Sequence, residues 1–231
     1  MNMSRLSSII LIFSVVSAAL LCSCRTSSQS GTGAPLQLSQ ISDIFTANKY
    51  SRYDTAKVFT YTDYGIFGET EISLVCDKDT NLAGLQYRSN LGGYNLLMNK
   101  ATRRALADSV KQYLADFDDK TLSRKTKESY KVYGQYPCRM EWGVFAQTAS
   151  NYADTNVQMG YMFKNKSPYF TLTVWETKNS RYQVTTSNDE DLQTTYIFMT
   201  KEQARQLCDR LSDEAVAAAS GQTPTGSATE E

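Results

Sequence analysis

The chain has 231 residues with 24 basic and 24 acidic side chains, so its charge gives no reason to expect nucleic acid or an anionic surface as a partner. It contains no histidine, which excludes Ser-His-Asp and Cys-His catalysis and histidine-ligated zinc or haem. Chemistry run by paired carboxylates stays open.

The first segment, Met1–Ser23, has one base at Arg5 and then a mostly apolar run from Leu6 to Leu21, broken by Ser7, Ser8, Ser14 and Ser17. A basic start followed by a short apolar core is the layout of a signal peptide, and the run falls short of the roughly 20 apolar residues that a membrane-spanning helix wants. The sequence Leu21-Cys22-Ser23-Cys24 that ends it resembles the lipobox of bacterial lipoproteins. Leu21 is the aliphatic residue three before the cysteine and Ser23 the small residue just before it, while Cys22 departs from the usual pattern. The alternatives are an ordinary cleaved signal peptide or an uncleaved anchor. The resemblance implies that Cys24 becomes the first residue of the mature protein and carries diacylglycerol through a thioether, with its new amine open to palmitoylation or a like acylation. Such chains hold a protein at a membrane surface without spanning it. The implied address is the cell envelope. Arg25 is not the aspartate that retains many lipoproteins at the inner membrane, which favours the outer membrane where one exists.

Residues 24–37 are rich in Ser, Gly, Thr and Gln and too polar to build a core, so they read as a flexible tether. Residues 220–231 read as a disordered tail for the same reason, leaving a domain over 38–219. Strands are expected at Lys57–Tyr64, Glu69–Cys76, Leu82–Arg88 and Tyr94–Met98, where Val, Ile, Phe, Tyr and Thr partly alternate with polar residues. Short turn signals between them favour antiparallel hairpins. A helix follows over Lys100–Phe117, with Asn99 as N-cap and Leu106, Val110, Tyr113, Leu114 and Phe117 on one face. The second half repeats the order, with strands near Tyr130–Gln135, Arg139–Phe145, Val157–Phe163, Tyr169–Glu176 and Leu192–Met199. Its helix spans Lys201–Ala218, and Thr200 with Gln203 makes a capping box.

The two strand-to-helix junctions look alike, with Leu106 matching Leu207 and Asp108 matching Asp209 at one offset. The expected fold is therefore α+β: a predominantly antiparallel sheet with two amphipathic helices packed on one side, arranged as two duplicated β-meander-plus-helix units over 50–119 and 128–219.

Few residues suggest chemistry. Asp77-Lys78-Asp79-Thr80-Asn81 alternates oxygen ligands as calcium loops do, but Leu82 and Arg88 stand where an EF-hand needs Gly and Glu, and a hairpin turn explains the same residues. Asn188–Asp191 reads as a solvated acidic loop. No motif for a metal or cofactor occurs, and none is expected. Cys76 and Cys138, at strand-like edges, are the couple that could pair outside the cytoplasm, whereas Cys208 lies on a helix's apolar face. Tyrosine is abundant in the strand candidates, and Tyr or Trp on a sheet face can stack on sugars or peptides. The candidate binding face is Tyr61, Tyr133, Trp142, Tyr161 and Trp175.

Two functions fit. The first is an envelope lipoprotein acting as a non-enzymatic binding or assembly module, with a protein or an envelope polymer as partner and the membrane held through Cys24. The second is a carboxylate-dependent hydrolase of envelope glycans using acids among Glu69, Glu71, Asp77, Glu141 and Glu176.

Overall fold

The structure is a computed structural model that describes residues 50–61, 64–89, 92–122, 130–144, 151–181 and 191–221. The chain divides into two units, Met1–Gln37 and Leu38–Glu231, and the described residues all belong to the second. The segments expected to be signal peptide and tether, with Cys24, and all but two residues of the expected tail lie outside the described residues. Ser220 ends a helix and Gly221 caps it, so these two residues of the expected tail belong to a helix end.

Among the described residues the elements run β1 (Ser51–Tyr61), β2 (Phe67–Cys76), β3 (Ala83–Ser89), β4 (Gly92–Met98), α1 (Lys100–Asp118), β5 (Tyr130–Val144), β6 (Asn151–Lys164), β7 (Ser167–Val174), β8 (Thr195–Met199), α2 (Lys201–Arg210) and α3 (Asp213–Ser220). Each strand pairs antiparallel with the next in the chain, and β8 returns to β1, which closes a barrel.

This overturns the expected α+β sheet with two helices packed on one side. The eight strands form one continuous ladder, and β4 pairs with β5 across the boundary between the two expected units. The reason is geometric. Alternation says which residues share a face, and it reads the same whether that face is flat or rolled around itself. Two other expectations also change. The strands near 130–135 and 139–145 are one strand, β5, with Pro137 inside it. Pro137 fits because the β4 ladder reaches only Arg139, so one edge of β5 is unpaired there. The second helix breaks in two at Leu211, and Ser212 starts α3 by accepting a hydrogen bond from the Ala215 amide at 3.2 Å.

Most inward positions are apolar. Val58, Ile72, Leu74, Leu85, Leu96, Met140, Met159, Leu172 and Ile197 fill the interior. Many outward positions carry charge, including Glu69, Glu71, Arg88, Arg139 and Asp154. A membrane-spanning barrel has the opposite arrangement, with an apolar band facing lipid. Gly84 permits tight curvature: a Cβ there would lie 1.8 Å from the Leu96 carbonyl oxygen on the neighbouring strand.

All three helices gather at one end of the barrel, because β4 and β8 both finish there and β5 starts there. They act as a plug. The apolar faces of α1 (Leu106, Val110, Tyr113), α2 (Ala204, Leu207, Leu211) and α3 (Val216) join the interior core. Helix α1 bridges the rim, with the Thr102 hydroxyl donating to the Pro137 carbonyl at 2.7 Å and the Tyr113 hydroxyl to the Pro168 carbonyl at 3.1 Å. These helices also cover strand edges that would otherwise be open. The Tyr53 hydroxyl of β1 donates to the Arg210 carbonyl at 3.0 Å, and Arg210 reaches back to the Thr55 carbonyl.

One buried cation ties the plug together. Arg103 on α1 donates to the carbonyls of Asn81 (3.1 Å) and Met98 (3.2 Å) and to the Asp213 carboxylate at the start of α3 (3.2 Å). Lys100 and Arg104 converge on the same carboxylate at 3.3 and 2.9 Å. Burial pushes the Asp213 carboxyl up, but hydrogen bonds from Lys100 and Arg104 and their charges outweigh it and hold it below the ordinary carboxylate range.

Two predictions follow from the plug. Leu106→Ala and Leu207→Ala should each lower the unfolding free energy by about 2–5 kcal/mol in urea titration, since each leucine is fully buried. A depressed folded-state pKa adds stability above the unfolded value of about 4, and that stability is lost as pH falls through the folded value. The stability gap between the wild type and Asp213→Asn should therefore be widest near neutral pH and shrink below about pH 4, as measured by denaturant titration across that range.

Candidate functional site

The outer wall formed by β7, β8, β1 and β2 carries a cluster of aromatic rings. Strand parity puts Phe59 and Tyr61 of β1, Phe67 of β2, Tyr169 of β7, and Tyr196 and Phe198 of β8 on the outside, because their neighbours in each strand point inward. The rings interlock. Phe59 stacks on Phe67 at 5.3 Å between centroids, Tyr196 stacks on Phe198 at 5.8 Å, and Phe67 meets Phe198 edge-on at 5.2 Å. Tyr169 closes the lower side against Phe59 at 5.4 Å and Phe67 at 5.5 Å. The Lys164 ammonium lies 5.0 Å from the Tyr61 ring and 5.5 Å from that of Phe198, a cation–π position, and it also meets the Tyr61 hydroxyl.

The cluster lies over the weakest join in the barrel. The β1–β8 register holds one aligned pair, Phe59 with Phe198, where every other neighbouring pair of strands aligns at four or more positions. Phe198 is on the outer face yet only 1% exposed, because the surrounding rings enclose it. Aromatic pairs contribute about 0.5–1.5 kcal/mol each beyond their burial, so side-chain packing here supplies what the short ladder lacks.

Toward the unplugged end the wall opens to water. Trp175, just past β7, is 44% exposed, and at the β1–β2 turn Tyr64 is 89% and Ile66 63% exposed. Trp175 meets Tyr196 edge-on at 6.4 Å, and Tyr196 meets Tyr61 at 6.3 Å, so the exposed side chains continue the cluster. The Trp175 indole N–H donates to the Gln158 side-chain oxygen at 3.1 Å, which also accepts from Gln135 at 3.1 Å. This fixes the ring's polar edge and leaves its faces for other contacts.

The structure divides the five residues expected to share a binding face. Tyr61 and Trp175 belong to the outer wall, linked through Tyr196. Trp142 and Tyr161 point into the barrel and are buried. Tyr133 lies half-buried at the plugged end, 6.3 Å from Tyr161, and its hydroxyl donates to Asp116 at 2.8 Å. Burial, and then the bond to Asp116, pushes the Tyr133 hydroxyl well above its usual range. The expected face failed because Trp142 and Tyr161 share parity with Met140 and Met159, so they belong to the core. The residues that sequence reasoning missed are Phe59, Phe67, Tyr64, Ile66, Tyr196 and Phe198. A usable signal existed in the two-residue spacing of Phe59 with Tyr61 and of Tyr196 with Phe198, which puts each pair on one face.

The strand-associated acids are spread out. Glu69 and Glu71 stand on the exposed convex outside of β2, where Glu69 pairs with Lys57 at 3.5 Å and accepts from Gln203 at 3.1 Å. Asp77 closes the β2–β3 turn, accepting from the Asp79 amide at 2.9 Å and the Thr80 hydroxyl at 2.7 Å, with Asn81 at positive φ. Glu141 is buried beneath Tyr50, whose hydroxyl donates to it at 2.7 Å, and beside Arg139 at 3.1 Å. Burial and then the Glu141 bond raise the Tyr50 hydroxyl above its usual range. Glu176 is exposed beside Trp175. Of the acidic loop only Asp191 is described, and it accepts from the Asn179 amide at 3.0 Å. Among the described residues no three acidic or cysteine side chains come together as a metal site would need.

Cys76, Cys138 and Cys208 are free thiols. Cys76 and Cys138 lie on β2 and β5, with β3 and β4 between them, and the couple that the sequence left open does not pair. Burial pushes both the Cys138 and Cys208 thiols up to about 12, which keeps them protonated and inert at neutral pH.

A family model described as an uncharacterised Treponema protein matches residues 41–218. The chain belongs to that family. The matched span contains the whole barrel and all but the last two residues of the plug. A Treponema pallidum (strain Nichols) protein, itself described as uncharacterized, is 22% identical over 144 residues, which are 61% of this chain and 52% of that protein. The chain thus spans about half the length of the curated relative it matches. No solved structure matches it.

The wall separates two roles that substitution can distinguish. Phe198→Ala should destabilise the fold by about 3–5 kcal/mol, because it empties the centre of the seam. Trp175→Ala removes a ring at the open end and should cost well under about 1 kcal/mol in the same urea titration.

Proposed function

We propose that this member of the family is a lipid-anchored envelope lipoprotein that works as a non-enzymatic binding module, with the open end of the aromatic wall as its contact surface. The lipobox-like Leu21-Cys22-Ser23-Cys24 supports the anchor. The observation that carries the contact surface is the exposure of Trp175, Tyr64 and Ile66 at the unplugged end of the outer aromatic wall. Large apolar side chains exposed together at one end of a domain mark interaction sites. Its aromatic members are the side chains most often found at the energetic centres of interfaces. The buried interior is complete without them, so folding does not account for their presence.

Two measurements test this reading. In cells fed labelled fatty acid, Cys24→Ser should abolish labelling and leave the precursor uncleaved, while Cys22→Ser leaves both unchanged; lipid on the Cys24→Ser protein overturns the anchor. With a photo-crosslinking residue placed at 64 or 175 of the anchored protein, adducts should form that are absent when it stands at the exposed outward position 71. Equal yields from all three positions would overturn the contact surface.

A further inference from the structure

We infer that the edge formed by Tyr64, Ile66 and Trp175 seats in the lipid–water interface of the membrane that holds the anchor, so that the barrel lies against the bilayer instead of hanging from it. This rests on the lipoprotein reading and adds the occupant of its contact surface.

Shape favours a bilayer over a small ligand or a polymer chain. Ligand sites are concave. Here Tyr64 and Ile66 stand at the β1–β2 hairpin, where Gly65 adopts a positive φ of 71° and an added Cβ would meet nothing within 4 Å, and Trp175 lies just past the end of β7 on the outer wall. A tip that stands clear of the body can enter a soft surface without needing a complementary pocket.

Chemistry favours it as well. Trp and Tyr are enriched at membrane–water interfaces because each joins an apolar ring to a hydrogen-bonding tip. Ile66, two residues after Tyr64, offers aliphatic surface that gains from hydrocarbon and has nothing to offer the hydroxyls of a sugar. Lys164 is engaged with the rings of Tyr61 and Phe198, and the exposed Glu176 and Lys178 beside Trp175 carry opposite charges, so seating does not call for anionic lipid.

Reach and concentration complete the argument. Roughly two dozen residues separate Cys24 from Tyr50, and at about 3.3–3.6 Å per residue they can extend to some 80–90 Å. The 11-residue β1 is only about 35–40 Å long, so the anchor does not prevent the unplugged end from meeting the membrane. Three side chains are too few to bind a membrane from solution. An anchored barrel is already held at high local concentration, where a weak second contact suffices.

The test uses the full acylated protein in phosphatidylcholine vesicles. Trp142 is buried and Trp175 is the other tryptophan of the chain, so Trp142→Phe isolates the signal of Trp175. On moving from detergent to vesicles, Trp175 emission should shift to the blue and acrylamide quenching should fall severalfold. Phosphatidylcholine with brominated acyl chains should quench the emission. Ile66→Asp should reverse these changes while the protein still floats with the vesicles. If Trp142→Phe does not fold, the acrylamide-sensitive part of the wild-type emission reports Trp175 instead. Trp175 that stays equally open to acrylamide in vesicles overturns the inference and leaves the anchor standing. Protection that grows only with protein density on the vesicles assigns the edge to a second copy, and protection that needs added envelope material assigns it to a polymer or protein; either overturns it. A protein that carries no acyl chain and does not float with the vesicles overturns the lipoprotein reading and this inference together.

Discussion

Closure of the barrel between β1 and β8 is the constraint on which the rest depends. The ladder there holds one aligned pair, Phe59 with Phe198, so backbone hydrogen bonding alone would leave an open seam. A sheet that opened at that point would expose two edges and the apolar interior together, with the liabilities of unpaired strands. The rings of Phe59, Phe67, Tyr169, Tyr196 and Phe198 lie across the join from outside and hold it by packing. The wall that seals the fold thus also supplies the exposed surface proposed for binding, and the two roles divide along its height. Enclosed rings at the seam stabilise, and open rings at the tip are free to make contacts.

The plug solves a second problem. A barrel of eight strands has an interior that side chains can just fill, but its ends must also be covered. Here α1, α2 and α3 cover one end with Leu106, Val110, Tyr113, Leu207, Leu211 and Val216. Arg103 gives the plug its register, because one guanidinium holds a turn, a strand end and a neighbouring helix start. A buried charge of this kind adds less to stability than its bond count suggests, since desolvation offsets much of the gain. Its stronger effect is to penalise any arrangement in which Asp213 is elsewhere.

Much of the local structure was legible in the sequence. Asn99 and Thr200 cap the helices as their side chains suggest, and the apolar stripes of α1 and α2 face the core. The Asp77–Asn81 segment is a turn, as its Asp and Asn residues imply. The candidate site was only partly legible. Tyr61 and Trp175 were identified, but Trp142 and Tyr161 were grouped with them although they face the opposite way. Residue type shows that a ring can bind, and parity shows which side it takes. Parity must be counted from a known inward residue, and a bulge such as that between Val132 and Gly134 resets the count.

By itself the sequence determined most of the strands, the starts of α1 and α2, the absence of histidine chemistry and the lipobox resemblance, because each depends on residues close together in the chain. The tertiary structure decided closure, the gathering of three helices at one end, the separation of Cys76 from Cys138 and the assembly of the aromatic wall. These depend on contacts between residues far apart, such as Phe59 with Phe198 and Arg103 with Asp213. A period-2 pattern specifies a face but not its curvature, so a flat sheet with two helices on it and a barrel stopped at one end by three have nearly the same local signature. The choice between them lies in how the first and last strands meet.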